Sequence, residues 1–171
     1  MNVSRDIRRL AFQGLFHLDV QGDEATGTLR AVIEDAASSV AGDVREEAMQ
    51  LAESLARGAY IHRRTADEAV RRLAPDWPPH RQPSVDRALL RLAVFEITRP
   101  DLEADDGKSG SGRIPRSNPK VVVNDAIELA KAFSTERSPA FVNAVLDKVL
   151  KGVIPARIPV AQTHDGPAEV R

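Results

Sequence analysis

Apolar residues along most of this chain recur every three or four positions, as they do on one face of an α-helix. The pattern predicts helices over about 4–20, 24–40, 45–73 and 84–97, then over 119–134 and from 138 onward. Gly58 lies inside the longest of these segments, where it indicates a kink or a close helix crossing and hence two helices. No segment shows the alternation of a β-strand. We therefore predict an all-α fold of about six to seven helices.

Breaks in this pattern divide the chain. Residues 75–83 contain four prolines and Trp77 and cannot continue a helix, so they mark the best boundary between an N-terminal half (about 1–83) and a C-terminal half (about 84–155). Residues 100–118 are rich in Asp, Gly, Ser and Pro, which predicts a long loop. Three prolines and weak periodicity after Gly152 predict a disordered tail over 156–171.

Side chains that start helices precede several predicted elements. Ser4 and Asp43 are candidate N-caps. Asn118-Pro119 combines a capping residue with proline at the first helical position, and Ser138-Pro139 repeats that signal. These signals predict where the first, third, sixth and last helices begin.

Composition narrows the classes of function. The chain has 171 residues, 42% of them apolar but only seven aromatic, with no cysteine and a formal net charge of −1. The absence of cysteine excludes disulfides and thiol catalysis and, with no membrane-length apolar run, indicates a cytoplasmic protein. No phosphate-binding glycine loop, catalytic pair or metal-ligand spacing occurs. We therefore expect no enzymatic activity, no cofactor and no metal, and any nucleic-acid site must be a local basic patch.

The most specific segment is 121–150, VVVNDAIELAKAFSTERSPAFVNAVLDKVL. Its first helix carries Lys131 on one polar ribbon with Glu128, and its second carries Asn143. These polar residues fit a solvated helix face or bonds between helices as well as a binding site. Phe141 fits the core better than a stacking platform on composition alone. An RNA site requires the basic N-terminal helix to lie beside them, so that arginines hold phosphates while an aromatic ring stacks on a base.

Three motifs together resemble the bacterial NusB family of transcription antitermination factors: VVVNDAIELAKAFS with SPAFVNAVLDKVL, VDRALLRLAVFEI at 85–97, and R-x-x-R with AFQGLF at 5–16. The resemblance extends over about residues 4–150 and implies a domain over 1–155 made of two small packed helical bundles. It implies binding of boxA RNA of the ribosomal RNA leader, jointly with the ribosomal protein NusE, in the RNA polymerase antitermination complex.

Carried onto this chain, the family's RNA-binding face falls on residues of the first helix and of the last two helices with the turn between them: Arg5, Arg8, Arg9, Gln13, Lys131, Arg137, Phe141 and Asn143. Its partner-binding surface falls on Trp77, Asp86 and Arg87. The chain departs from the family at Asp6, which interrupts the N-terminal basic run, at Arg137, where an acid is common, and in the length of 100–118.

Two other functions stay open on the sequence. One is a NusB-like RNA-recognition subunit of an RNA cytosine methyltransferase, with catalysis on a separate chain. The other is a protein-binding scaffold whose RNA face has decayed through changes such as Asp6. NusB proteins occur as monomers and as homodimers that bury the RNA face, and the sequence does not decide between them.

Overall fold

The computed structural model describes residues 5–42, 44–99 and 117–153. Within these ranges the chain forms seven α-helices and no strand, which confirms the all-α prediction. The helices are α1 (Arg5–Gln21), α2 (Leu29–Ala36), α3 (Arg45–Ile61), α4 (Arg63–Leu73), α5 (Ser84–Thr98), α6 (Pro119–Phe133) and α7 (Ser138–Lys148). The predicted caps Ser4 and Asp43, the predicted tail and nearly all of the predicted loop lie outside the described residues.

Two of the predicted helix boundaries need correction. The predicted helix over 24–40 is a short α2 flanked by 3₁₀ turns at Asp23–Gly27 and Ala37–Ser39. The predicted helix over 45–73 is interrupted at His62 and not at Gly58. Gly58 instead allows a close crossing, because a Cβ atom there would lie 2.4 Å from Cζ of Phe95 on α5. The Asn118 prediction is confirmed, since its Oδ1 accepts a 3.0 Å hydrogen bond from the backbone N–H of Lys120.

Helices α1, α2 and α3 pack against one another as a three-helix bundle. The end of α2 returns to the start of α1, where Arg9 donates to the carbonyl of Ala36. Gly14 permits the close approach of α1 to α2, because a Cβ atom there would lie 2.8 Å from Cδ1 of Leu29. Each leucine fully buried between these helices contributes about 1.5–3 kcal/mol to stability.

Helix α5 is central, as its wide apolar arc predicts, and it packs against α1, α3, α4, α6 and α7. Helix α4 lies on α5 and α7, and Nζ of Lys148 on α7 donates to the carbonyl of Leu73 at 2.9 Å. The packing therefore groups α4 with the C-terminal helices, although it precedes the proline-rich segment along the chain. None of the described helices has the length and apolar character needed to cross a membrane.

Candidate nucleic-acid interface

Helices α1 and α6 lie side by side and run in the same direction. Arg5 contacts Asp125 in the middle of α6, and Phe12 contacts Phe133 at its end. The basic N-terminal helix therefore lies beside the segment that the sequence singled out. An RNA site, as predicted from the sequence, requires this proximity of the two segments.

Arg8 does not belong to the surface of this interface. Its side chain is only 2% exposed and is held between two acids from other helices. Nε and Nη2 donate to the carboxylate of Glu96 at 2.9 and 3.0 Å, and Nη1 donates to Asp125 at 2.6 Å. The prediction that Arg8 contacts RNA is wrong in this structure, because no phosphate reaches a guanidinium that is buried and occupied by two carboxylates.

The charge of Arg8 is fixed by these partners. Burial works against the charged guanidinium, but the hydrogen bonds and charges of Glu96 and Asp125 outweigh it, so the pKa of Arg8 lies above its usual value. A sequence signal for this burial exists. Ala11, Phe12 and Leu15 lie three, four and seven positions after Arg8, which puts the arginine on the apolar face of α1.

Arg5 is the exposed arginine of this helix. Its side chain is 55% exposed, and Nε lies 3.1 Å from Oδ1 of Asp125. The rest of the exposed side chain faces solvent beside the middle of α6. Its role as an RNA ligand stays a prediction, and its position is compatible with that role.

Arg9 and Gln13 lie on the side of α1 that faces the end of α2. Arg9 is half-buried and donates to Oγ of Ser39 at 2.9 Å and to Oε1 of Gln13 at 3.4 Å. Asp6 lies 3.8 Å away, so the acid that interrupts the basic run offsets the charge of Arg9. These contacts hold Arg9 against the N-terminal bundle, and Gln13 is half-buried beside it.

Three phenylalanines form an aromatic cluster between α1 and α6 that sequence reasoning missed. The rings of Phe12 and Phe133 lie 5.3 Å apart with a 51° tilt, and those of Phe12 and Phe16 lie 6.2 Å apart. Phe133 is 40% exposed because it is the last residue of α6. It offers to solvent a ring that Phe12 supports from the adjacent helix.

The remaining predicted RNA contacts follow α6 and α7. Lys131 is exposed on α6, and its Nζ lies 2.7 Å from Oε1 of Glu128. Arg137 is exposed in the turn after Phe133, and Asn143 is exposed on α7. Phe141 is half-buried against the core, in agreement with the compositional expectation. Lys131 and Arg137 thus flank Phe133 along the chain, while Phe141 and Asn143 lie on the next helix.

Asp86 is not at the surface either. It lies in the first turn of α5 and is 2% exposed, with Oδ1 accepting from Oγ of Ser134 at 2.5 Å and Oδ2 from Oγ of Ser138 at 2.8 Å. The prediction that Asp86 binds a partner directly is therefore corrected. Ser138 was expected to cap α7 with its side chain and instead donates to Asp86. The carboxylate joins α5 to the α6–α7 turn.

Trp77 and Arg87 remain accessible at the predicted partner-binding surface. Trp77 is 41% exposed, and the guanidinium of Arg81 lies 5.2 Å from its ring centroid. Arg87 is half-buried, with Nη1 3.3 Å from the carbonyl of Pro79 and Nε without a hydrogen-bond partner among the described residues. Sequence reasoning did not single out Arg81. Its position four residues after Trp77 is the only sequence feature that relates it to this surface.

A buried ion pair ties the helices behind this surface together. Arg91 on α5 donates to both carboxylate oxygens of Asp67 on α4, at 2.8 and 2.6 Å. Its Nη1 also lies 2.7 Å from Oδ1 of Asp19 on α1, a close ionic contact that is not aligned as a hydrogen bond. Burial raises the pKa of Asp19, and the charge of Arg91 only partly opposes it. Arg91, Asp67 and Asp19 thus connect α5, α4 and α1.

The chain is similar to known proteins over most of its length. The model of the NusB family matches residues 5–104 and 113–151, and the unmatched residues 105–112 lie in the predicted loop. Transcription antitermination protein NusB of Anaeromyxobacter dehalogenans is 41% identical over 153 residues, which cover 88% of this chain and 92% of the relative. Among solved structures, T. maritima NusB has a TM-score of 0.63 at 29% identity, covering 88% of this chain and 93% of that one. A chain in a crystal structure of a plectonemic RNA supercoil has a TM-score of 0.68 at 25% identity, covering 91% and 99%.

Proposed function

The chain belongs to the NusB family, and on that premise we propose that it binds boxA RNA of ribosomal RNA leader transcripts together with NusE. In this role it suppresses premature termination as part of the RNA polymerase antitermination complex. Its relatives are transcription antitermination proteins and not enzymes. The same role places it in the cytoplasm, where transcription occurs in bacteria.

One observation carries the proposal: an exposed phenylalanine stands on a buried ring, on two adjacent helices that also carry exposed cations. Phe133 rests on Phe12, Lys131 lies on the same helix as Phe133, and Arg5 lies on the helix of Phe12, about two turns before it. Single-stranded RNA is recognised by this combination, in which bases stack on aromatic side chains and cations hold the phosphates. Stacking on such a ring contributes about 1–3 kcal/mol per base.

The other predicted RNA contacts extend this site in two directions. Gln13 and Arg9 continue it along α1, where Arg9 must keep its bonds to the end of α2. Arg137, Phe141 and Asn143 continue it into the turn and α7. We assign Arg137 to phosphate binding, since its side chain is exposed. Phe141 is half-buried and packs against the core.

We place the NusE contact at Trp77 and Arg87. An exposed aromatic ring and a partly exposed arginine are typical of protein–protein contacts. Asp86 contributes indirectly, because it fixes the first turn of α5 from which Arg87 projects. A homodimer that covers Phe133 and Arg5 would compete with RNA, and its presence would appear as RNA affinity that falls with protein concentration.

The test is a titration of labelled boxA RNA, with and without NusE, over a series of salt concentrations. We expect salt-dependent binding that NusE strengthens. Phe133→Leu keeps most apolar packing on Phe12 but removes the stacking ring, and we expect affinity to fall about five-fold or more. Arg5→Ala should weaken binding and reduce the salt slope by about 0.7, the value for one phosphate of a single strand.

Arg71→Ala is the matched control, since Arg71 is equally exposed but lies on α4, away from the proposed site. It should bind RNA as the unmodified protein does. Full affinity in both Phe133→Leu and Arg5→Ala would contradict the assigned face. NusE binding without any RNA binding would instead support the scaffold function, and methylation of boxA RNA with an added methyltransferase chain would support the accessory-subunit function.

A further inference from the structure

Three cations of the proposed RNA site are already paired with acids. Within 4 Å, each of three basic side chains has a carboxylate: Arg5 with Asp125, Arg9 with Asp6, and Lys131 with Glu128. A surface built only to attract phosphate does not need these acids. Their presence lowers the positive potential of the site before RNA arrives.

The three acids differ in what else they do. Asp125 is buried and also binds Arg8, so its charge is required by the fold. Asp6 is exposed and lies 3.8 Å from Arg9, a distance that gives only a weak interaction. Glu128 is accessible and close, with Oε1 at 2.7 Å from Nζ of Lys131. Among the described residues it has no buried partner that explains its charge.

Glu128 acts on two cations of the site. The hydrogen bond and charge of Lys131 hold the pKa of Glu128 below its usual value, and the charge of Arg5 adds to the effect. The carboxylate is therefore fully ionised at neutral pH. It pairs with Lys131 and senses the charge of Arg5, the exposed cations of α6 and α1 in the proposed site.

We propose that Glu128 is a negative determinant of RNA binding, whose carboxylate competes with RNA phosphate for Lys131 and Arg5. This inference rests on the proposed function of the same face. A phosphate that reaches Lys131 must replace a carboxylate 2.7 Å away, and the released carboxylate then repels the phosphate. The attraction of the site for the RNA phosphate backbone is thereby weakened, and base stacking on Phe133 contributes a larger share of the binding free energy.

The experiment compares Glu128→Gln with the unmodified protein in titrations of boxA RNA and of a scrambled RNA of equal length. Glutamine keeps the shape of the side chain and removes its charge. We expect both RNAs to bind about two- to five-fold more tightly, as for the loss of one exposed charge interaction. The salt slope should become steeper by up to about 0.7, because Lys131 then takes part fully in counterion release.

Glu68→Gln is the matched control. Glu68 pairs with Arg71 at the same i,i+3 spacing as Glu128 with Lys131, but on α4. Glu68→Gln changes the net charge by the same amount as Glu128→Gln and should leave RNA affinity unchanged. An equal gain in Glu68→Gln would overturn the proposal, since it would show an effect of net charge and not of position.

A second comparison tests the competition itself. Lys131→Ala should weaken binding more in the Glu128→Gln background than in the unmodified protein, because the lysine is released from its pair only there. Equal losses in both backgrounds would overturn the proposal. If the unmodified protein binds RNA and Glu128→Gln binds no better, this inference alone fails. If neither protein binds RNA, the proposed function fails together with it.

Discussion

Replacing Arg8 should damage the fold and not the RNA contact, although the sequence groups it with Arg5 as a phosphate ligand. Arg8→Met keeps the aliphatic volume of the side chain and removes its charge. Glu96 then loses both of its hydrogen bonds from Arg8, and its carboxylate remains buried. Asp125 loses a 2.6 Å bond but keeps its contact with Arg5.

The magnitude follows from the cost of an uncompensated buried charge. Removing one partner of a buried ion pair costs about 3–5 kcal/mol, mostly because the other charge stays buried without compensation. For a chain of this size, each kcal/mol lowers the melting temperature by about 2–4 °C. We therefore expect Arg8→Met to melt roughly 6–20 °C lower, a large part of a stability of about 5–15 kcal/mol.

Urea denaturation followed by circular dichroism measures this loss, and Arg5→Ala is the control. Arg5 is mostly exposed, so its replacement should cost less than about 1 kcal/mol. Arg8→Met with Glu96→Gln should recover part of the stability, because it removes the uncompensated carboxylate. A stability loss below about 1 kcal/mol in Arg8→Met, together with weakened RNA binding, would refute the reasoning and restore Arg8 as a phosphate ligand.

Two further predictions concern the scaffold. Gly58→Ala should lower the free energy of unfolding by about 1–3 kcal/mol in urea denaturation, because the added Cβ atom meets the Phe95 ring. Adding Phe95→Leu should recover part of this loss. An unchanged urea midpoint in Gly58→Ala would contradict the close crossing of α3 and α5. For Asp19, the folded state holds the carboxyl proton more tightly than the unfolded state, so its stabilising contribution is present below pH 3.8 and is lost as the pH rises through the raised pKa. The free energy of unfolding of the unmodified protein, relative to that of Asp19→Asn, should therefore fall with rising pH across that window. If this difference stays constant or rises with pH, burial does not dominate the pKa of Asp19.

Most of the fold follows from local sequence. The 3.6-residue period predicts the helices, and the proline-rich segment and Asn118-Pro119 predict where α4 has ended and α6 begins. The break between α3 and α4 could not be located from the sequence. Gly58 is a weak helix former and so suggests a break, but the reason for a glycine at this position is a contact with a residue distant in sequence. Its missing side chain makes room for Phe95, which is distant in sequence, and the helix continues through it to Ile61.

The candidate site was predicted less completely, because burial of a polar side chain depends on partners elsewhere in the chain. Arg8 finds its carboxylates 88 and 117 residues away, and no local pattern announces that Glu96 and Asp125 converge on it. Three basic residues within two turns of α1 thus have three different environments. Arg5 faces solvent, Arg8 is buried, and Arg9 joins α1 to α2.

The α6–α7 turn connects the two surfaces that the chain is proposed to use. Phe133 immediately precedes the turn, and Arg137 lies in it, so its conformation decides where both point. Asp86 holds that turn through Ser134 and Ser138, and it is adjacent to Arg87 on the partner-binding surface. A buried carboxylate with two short bonds transmits position because neither hydroxyl can move without leaving a buried charge less well satisfied. The residue that the sequence suggested as a direct partner contact is therefore the structural link between the proposed NusE surface and the proposed RNA face.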